Sequence, residues 1–118
     1  MTGQEYYEQL VVEARGRPNR PRYYIGGPPA QRIRNMESSH EGRAREAGVV
    51  WDHVDIRAVY HQELGICGIC KRPVPFETFT IDHRRPISRG GTHVRANVQL
   101  AHGACNSRKG NRWDGREP

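Results

Sequence analysis

Much of what an ordinary globular core is built from is scarce in this chain. Only 35% of its 118 residues are hydrophobic, and it holds just two Phe and two Trp. A core drawn from so little apolar material is small, and small cores commonly need a staple such as a structural metal. Cysteine is also scarce and odd in number, at three. An odd count fits a disulfide framework poorly and suits a reducing compartment, so a cytoplasmic location is expected. No hydrophobic run approaches a membrane span, and Met1 to Leu10 carries polar and acidic residues unlike a signal peptide. A soluble protein without a membrane partner is therefore expected. Lysine is nearly missing, since 17 of the 19 basic residues are Arg, and the net charge is +6. Guanidinium forks in excess favour a polyanionic partner such as nucleic acid. A genome's base composition would produce the same bias, so it argues for affinity and not for specificity.

The length supports one domain that need not occupy the whole chain. From Ala14 to Asn35 the sequence has six Arg, no acid, and the breakers Pro18, Pro21, Pro28 and Pro29. Residues 1–35 are read as a flexible, Arg- and Pro-rich extension, with a short helix over 1–13. Residues 36–50 are read as a polar helical linker, 51–113 as the folded domain and 114–118 as a tail. Asp52 is expected to cap a helix whose apolar stripe is Ile56, Val59, Tyr60 and Leu64, ending at Gly65. Phe76 to His83 alternates like a strand. Pro86 and Gly90-Gly91 break the next stretch into a short second strand and a loop. Asn97 to Lys109 reads as a closing helix stopped by Gly110. The expected order is helix, knuckle, two strands, helix, in an α+β domain.

Two x-x spaced pairs of soft ligands stand out, Cys67/Cys70 and His102/Cys105. Each pair can hold one side of a tetrahedral zinc ion, and Gly68 eases the turn in the first. Together they fill all four positions, leaving none for water, so one structural zinc per chain is expected. Cys67 and Cys70 alone would also suit a redox dithiol, but no surrounding βαβ pattern supports it.

Asp82, His83, Asn97 and Asn106 are left over once that zinc is satisfied. The runs C-G-I-C, I-D-H-R-R-P-I-S-R-G-G, A-N-V-Q-L and C-N-S-R-K-G resemble the HNH endonucleases, in the variety clamped by zinc knuckles. The resemblance spans Cys67 to Arg112 and implies a ββα-metal core. It departs from the usual pattern in two places. His102 stands where a fourth Cys is usual, and Asn106 fills the position of the third family letter. Imidazole is an ordinary zinc ligand, so the first departure is chemically acceptable.

The resemblance implies hydrolysis of DNA phosphodiester bonds, with DNA as partner. That chemistry needs a base, an attacking water and a cation facing the phosphate. His83 suits the base, being neutral near pH 7. Asp82 and Asn106 offer oxygen atoms that suit Mg²⁺ or Mn²⁺. Asn97 takes from the resemblance the role of holding the loop that orients His83. Arg84, Arg85, Arg108 and Lys109 can approach phosphates. One difficulty is geometric: consecutive strand residues face opposite ways, so Asp82 and His83 share a site only if the strand bends or ends there. His93 is expected to be exposed, His40, His53 and His61 show no ligand spacing, and Trp51 and Trp113 read as packing residues. A small nuclease of low sequence specificity, cutting one strand or both, is the expected function. The resemblance allows a homing endonuclease, a restriction-type enzyme or a nuclease of phage DNA processing or packaging working alongside other proteins of that process, and the Arg-rich extension favours the last. The competing reading is a non-catalytic zinc module that binds nucleic acid through its arginines.

Overall fold

The computed structural model describes residues 30–116, so the helix expected over 1–13 and most of the Arg-rich extension lie outside the described residues. The first described helix, α1, spans Ala30–Ala47. Its sequence lacks proline and is rich in Ala, Arg and Glu, all good helix formers. Gly48 stops it in the left-handed region at φ 71°, donating back to the Arg45 carbonyl. This helix runs across the expected division at residue 35. Ile33 and Ala44 are buried, and the Arg32 guanidinium donates to the Phe79 carbonyl, so residues 30–47 pack with the domain and not as a linker. Its inward stripe runs Ile33, Glu37, His40, Ala44, at helical spacing. Two of those four are polar, which is why the face does not announce itself in the sequence.

Helix α2 covers Ile56–Gln62, starting later than expected. Its N-cap is Asp55, whose carboxylate accepts from the Ala58 N–H, and not Asp52. The Asp52 N–H instead donates to the His93 carbonyl in an extended segment. Ile56, Val59 and Tyr60 are buried as expected, but Leu64 lies past the helix end and is 45% exposed. Tyr60 stacks on Phe76 with ring centroids 4.4 Å apart, and its hydroxyl donates to the Val74 carbonyl. This pairing lets a small core bury a phenol with its polar atom satisfied.

Strands β1 (Thr80–His83) and β2 (Val98–Ala101) pair antiparallel, with Asp82 opposite Gln99 and His83 opposite Val98. Helix α3 (Gly103–Lys109) packs on β1. Two boundaries therefore move. Val98–Ala101 is strand and not the start of the closing helix, because all four residues are buried in the sheet. Phe76 and Phe79 belong to the core ahead of β1 and not to the strand itself. The result is a small α+β domain with the order helix, knuckle, strand, strand, helix.

Between the strands, residues 84–97 form a tight loop with short 3-10 turns at Ile87–Arg89 and Arg95–Asn97. Gly91 is required there, since a Cβ on it would collide with the Arg85 carbonyl.

Candidate active site and metal centre

Cys67, Cys70, His102 and Cys105 present ligand atoms that all lie within 4.8 Å of one another. A zinc ion with bonds of normal length places S and N ligands about 3.6 Å apart in a tetrahedron. The observed separations from His102 Nδ1 are 3.3 Å to Cys70 Sγ and 3.7 Å to Cys105 Sγ. The other ring nitrogen, Nε2, faces the Pro73 carbonyl at 2.9 Å. That bond fixes the proton on Nε2 and leaves Nδ1 as the ligand, the usual outer support of a metal-bound imidazole. Burial pushes the Cys67 thiol up, but backbone hydrogen bonds from Cys70, His102 and Ile69 outweigh it and bring it to about 6. Burial and the neighbouring Cys67 and Cys105 thiols push Cys70 up. Three sulfurs this close repel as thiolates unless a cation sits among them, so the chemistry of the set fits zinc.

Gly68 serves this corner in a way its sequence context does not show. A Cβ there would meet the Gln99 side chain, which lies against the knuckle. Gln99 in turn donates from Nε2 to Asp82 Oδ2 at 2.9 Å across the sheet. The zinc corner and the cleft beyond it are thus joined through one glutamine.

A cleft of about 370 Å³ runs along β1, lined by Asp82, His83, Asn106, Arg43 and residues of the following loop. The faces of Asp82 and His83 do differ. Asp82 bonds Gln99 on one side and Lys109 Nζ, at 3.3 Å, from α3. His83 turns the other way, its Nε2 lying 3.0 Å from His93 Nδ1. The strand ends at His83, so both residues still border one cleft. Burial lowers the His83 pKa to about 3, helped by the charges of His40, His93, Arg43 and Lys109. Its imidazole is therefore neutral across the physiological range.

Asn106 donates from Nδ2 to the Ile81 carbonyl at 3.2 Å. A carbonyl can only accept, so the amide oxygen of Asn106 is its remaining atom. Asn97 is 2% exposed and ties the loop at three points. Its Oδ1 accepts from the Arg85 N–H at 2.9 Å, while Nδ2 donates to the Arg85 carbonyl at 3.0 Å and the Thr92 carbonyl at 2.7 Å.

The basic residues divide. Arg84 and Lys109 line a second, neighbouring cleft of about 650 Å³ together with Arg112, Trp113 and Arg116. Lys109 also donates to the His83 carbonyl at 3.0 Å. The Arg85 guanidinium lies over the Trp113 ring, 4.5 Å from its centroid. Arg108 points to Cys105 Sγ at 3.6 Å, toward the metal corner.

Three residues near His83 were not anticipated. His93, expected on the surface, is completely buried. Its N–H donates to the Val50 carbonyl and its own carbonyl accepts from Asp52, so the segment before α2 clamps it inward. His40 stacks on His93 at 5.8 Å and meets His83 edge-on at 5.1 Å. Arg43 accompanies it from α1, 2.6 Å from His40 Nδ1. Local spacing gives no signal for this trio, because His40 and Arg43 on α1 meet His93 and His83 only through the fold.

Among the described residues no helix is long and apolar enough to cross a membrane. No curated protein matches the chain. Residues 67–112, which hold both the four-ligand corner and the cleft residues of β1 and α3, match the family model for HNH endonuclease. The likeness to the HNH endonucleases thus belongs to this stretch, 46 of the 118 residues.

Proposed function

We propose that the domain hydrolyses DNA phosphodiester bonds, with His83 as the base that takes a proton from the attacking water. The observation that carries the reading is geometric: His83, buried at the end of β1, borders one cleft with Asp82 and Asn106. Asp82 oxygens and the free amide oxygen of Asn106 form a hard donor set. One carboxylate and one amide oxygen would suit a Mg²⁺ or Mn²⁺ ion held at this cleft. Such an ion, when bound, neutralises charge on the phosphate and the leaving oxygen. Lys109, now against Asp82, supplies a second positive charge at the cleft. Asn97 holds the loop through which β1 leaves the site.

Arg43 lines this cleft while Arg84 and Lys109 line the neighbouring one, and basic groups so placed suit a phosphate backbone. Contacts to phosphate position DNA without reading it, so low sequence specificity follows. The Arg-rich residues 14–35 add sequence-independent affinity of the same kind. A general DNA-processing role, such as phage DNA processing or packaging beside other proteins of that process, is consistent with this. The test is nicking of supercoiled plasmid by zinc-loaded protein, first with free divalent ions chelated and then with Mg²⁺ or Mn²⁺. Cleavage only after the addition is expected. DNA binding with no cleavage in any divalent ion would favour the non-catalytic zinc module instead.

A further inference from the structure

We infer that His93 is a positioning residue for His83, accepting a hydrogen bond from its Nε2–H so that Nδ1 is the basic nitrogen presented to the cleft. The inference rests on the nuclease reading of His83 given above. His83 Nε2 and His93 Nδ1 lie 3.0 Å apart, with His83 7% exposed and His93 fully buried. One proton must lie between these two nitrogens, for neither has another partner among the described residues. Only if His83 carries that proton is its Nδ1 a lone pair able to act as base.

His93 is poorly explained as packing. Its Nε2 is buried with no hydrogen-bond partner among the described residues, so its side chain makes a single hydrogen bond, to His83. An apolar residue could fill the same space without stranding a polar atom. The backbone clamp from Val50 and Asp52 then has a purpose, fixing the acceptor in place. His40, stacked on His93 and edge-on to His83, closes the third side of the pair and limits rotation of both rings.

The hydrogen bond also favours turnover. When Nδ1 takes the proton of the attacking water, His83 becomes an imidazolium, and its Nε2–H bond to His93 becomes charge-assisted and stronger. An interaction that strengthens as the proton moves lowers the barrier and leaves substrate binding unaffected. The general base contributes about 10²- to 10⁴-fold in such reactions, and misorienting it forfeits part of that.

Two measurements test the inference on the full chain. Imidazole ¹⁵N spectra of the zinc-loaded protein should show His83 protonated at Nε2 and His93 accepting at Nδ1. A His83 protonated at Nδ1 overturns the inference whatever the activity. In plasmid nicking with Mg²⁺, His93→Leu should lower kcat by about 10- to 100-fold with KM unchanged. His93→Asn, whose amide oxygen can accept where Nδ1 did, should restore most of the rate. Zinc content and melting temperature of both variants identify any collapse of the fold. Wild-type kcat in His93→Leu would refute the positioning role and leave the nuclease reading standing. Should the wild type fail to cut at all, the nuclease reading fails, while the spectra still decide which ring holds the proton.

Discussion

Replacing Asn97 with Ala removes a side chain that ties the two ends of the 84–97 loop. Three hydrogen bonds vanish together, from the Arg85 N–H and to the carbonyls of Arg85 and Thr92. Each is worth about 1 kcal/mol net, and the groups left behind are partly buried, so the total cost is about 3 kcal/mol. A domain of this size loses about 4–8 °C in Tm per kcal/mol, giving a fall of roughly 12–24 °C. The loop also carries His93 and begins just beyond His83, so nicking should fall with stability even below the new Tm. Zinc content should hold, because the four ligands lie outside the loop. Differential scanning calorimetry with zinc assayed on the same samples provides the numbers. Asn97→Asp sharpens the test. It keeps the acceptor for Arg85 N–H but sets a carboxylate oxygen against two carbonyls, so it should be at least as unstable as Asn97→Ala. A Tm within about 3 °C of wild type for either variant, far under the shift a 3 kcal/mol loss requires, would refute the reasoning.

Three other outcomes are expected. His102→Ala should lose zinc and unfold at much lower temperature, because metal binding in such sites is a large part of folding free energy, whereas His102→Cys should keep both. Zinc retained by His102→Ala would contradict the assignment. Deleting residues 1–29 removes four Arg and should weaken DNA binding mainly at low salt, while deleting 1–35 also removes buried Ile33 and should cost about 2–4 kcal/mol of stability in chemical denaturation. Equal stability of the two truncations would show that α1 does not need its first turn. Burial lowers the His40 pKa to about 4, with Arg43 and His93 adding to the effect. The unfolded chain, with His near 6.5, therefore binds more protons between those values, and stability is lost as pH falls from 6.5 toward 4. His40→Gln should make that decline shallower in denaturant titrations at each pH, and an unchanged slope would show that His40 is not held neutral by the fold.

The parts of the site that could be read from the sequence are those encoded by short spacing. Cys67-x-x-Cys70 and His102-x-x-Cys105 each converge within one turn, so their pairing is local even though their meeting is not. Asp82 and His83 were legible as candidates, and so was the obstacle of their opposite faces. What resolves it, a strand that stops at His83, depends on the loop that Asn97 holds. Helix α1 hides its buried face from the sequence because its inward stripe includes Glu37 and His40, polar groups whose partners lie elsewhere in the chain. Glu37 accepts from the Ile56 N–H at 3.3 Å, and His40 meets His83 and His93. The closing helix reads too long in the sequence because Val98 to Ala101 is a fully buried strand, where alternation disappears and length alone separates strand from helix. His93 had no local signature at all, since its burial is imposed by residues 50–52.

The most direct measurement is single-turnover cleavage of plasmid DNA by wild type and His83→Ala at equal zinc content, with Mg²⁺ present and DNA binding measured alongside. The wild type should cut, and His83→Ala should bind DNA equally well yet cut about 10²- to 10⁴-fold more slowly. Cleavage by His83→Ala at the wild-type rate would contradict the account, because the water would then be activated by some other group.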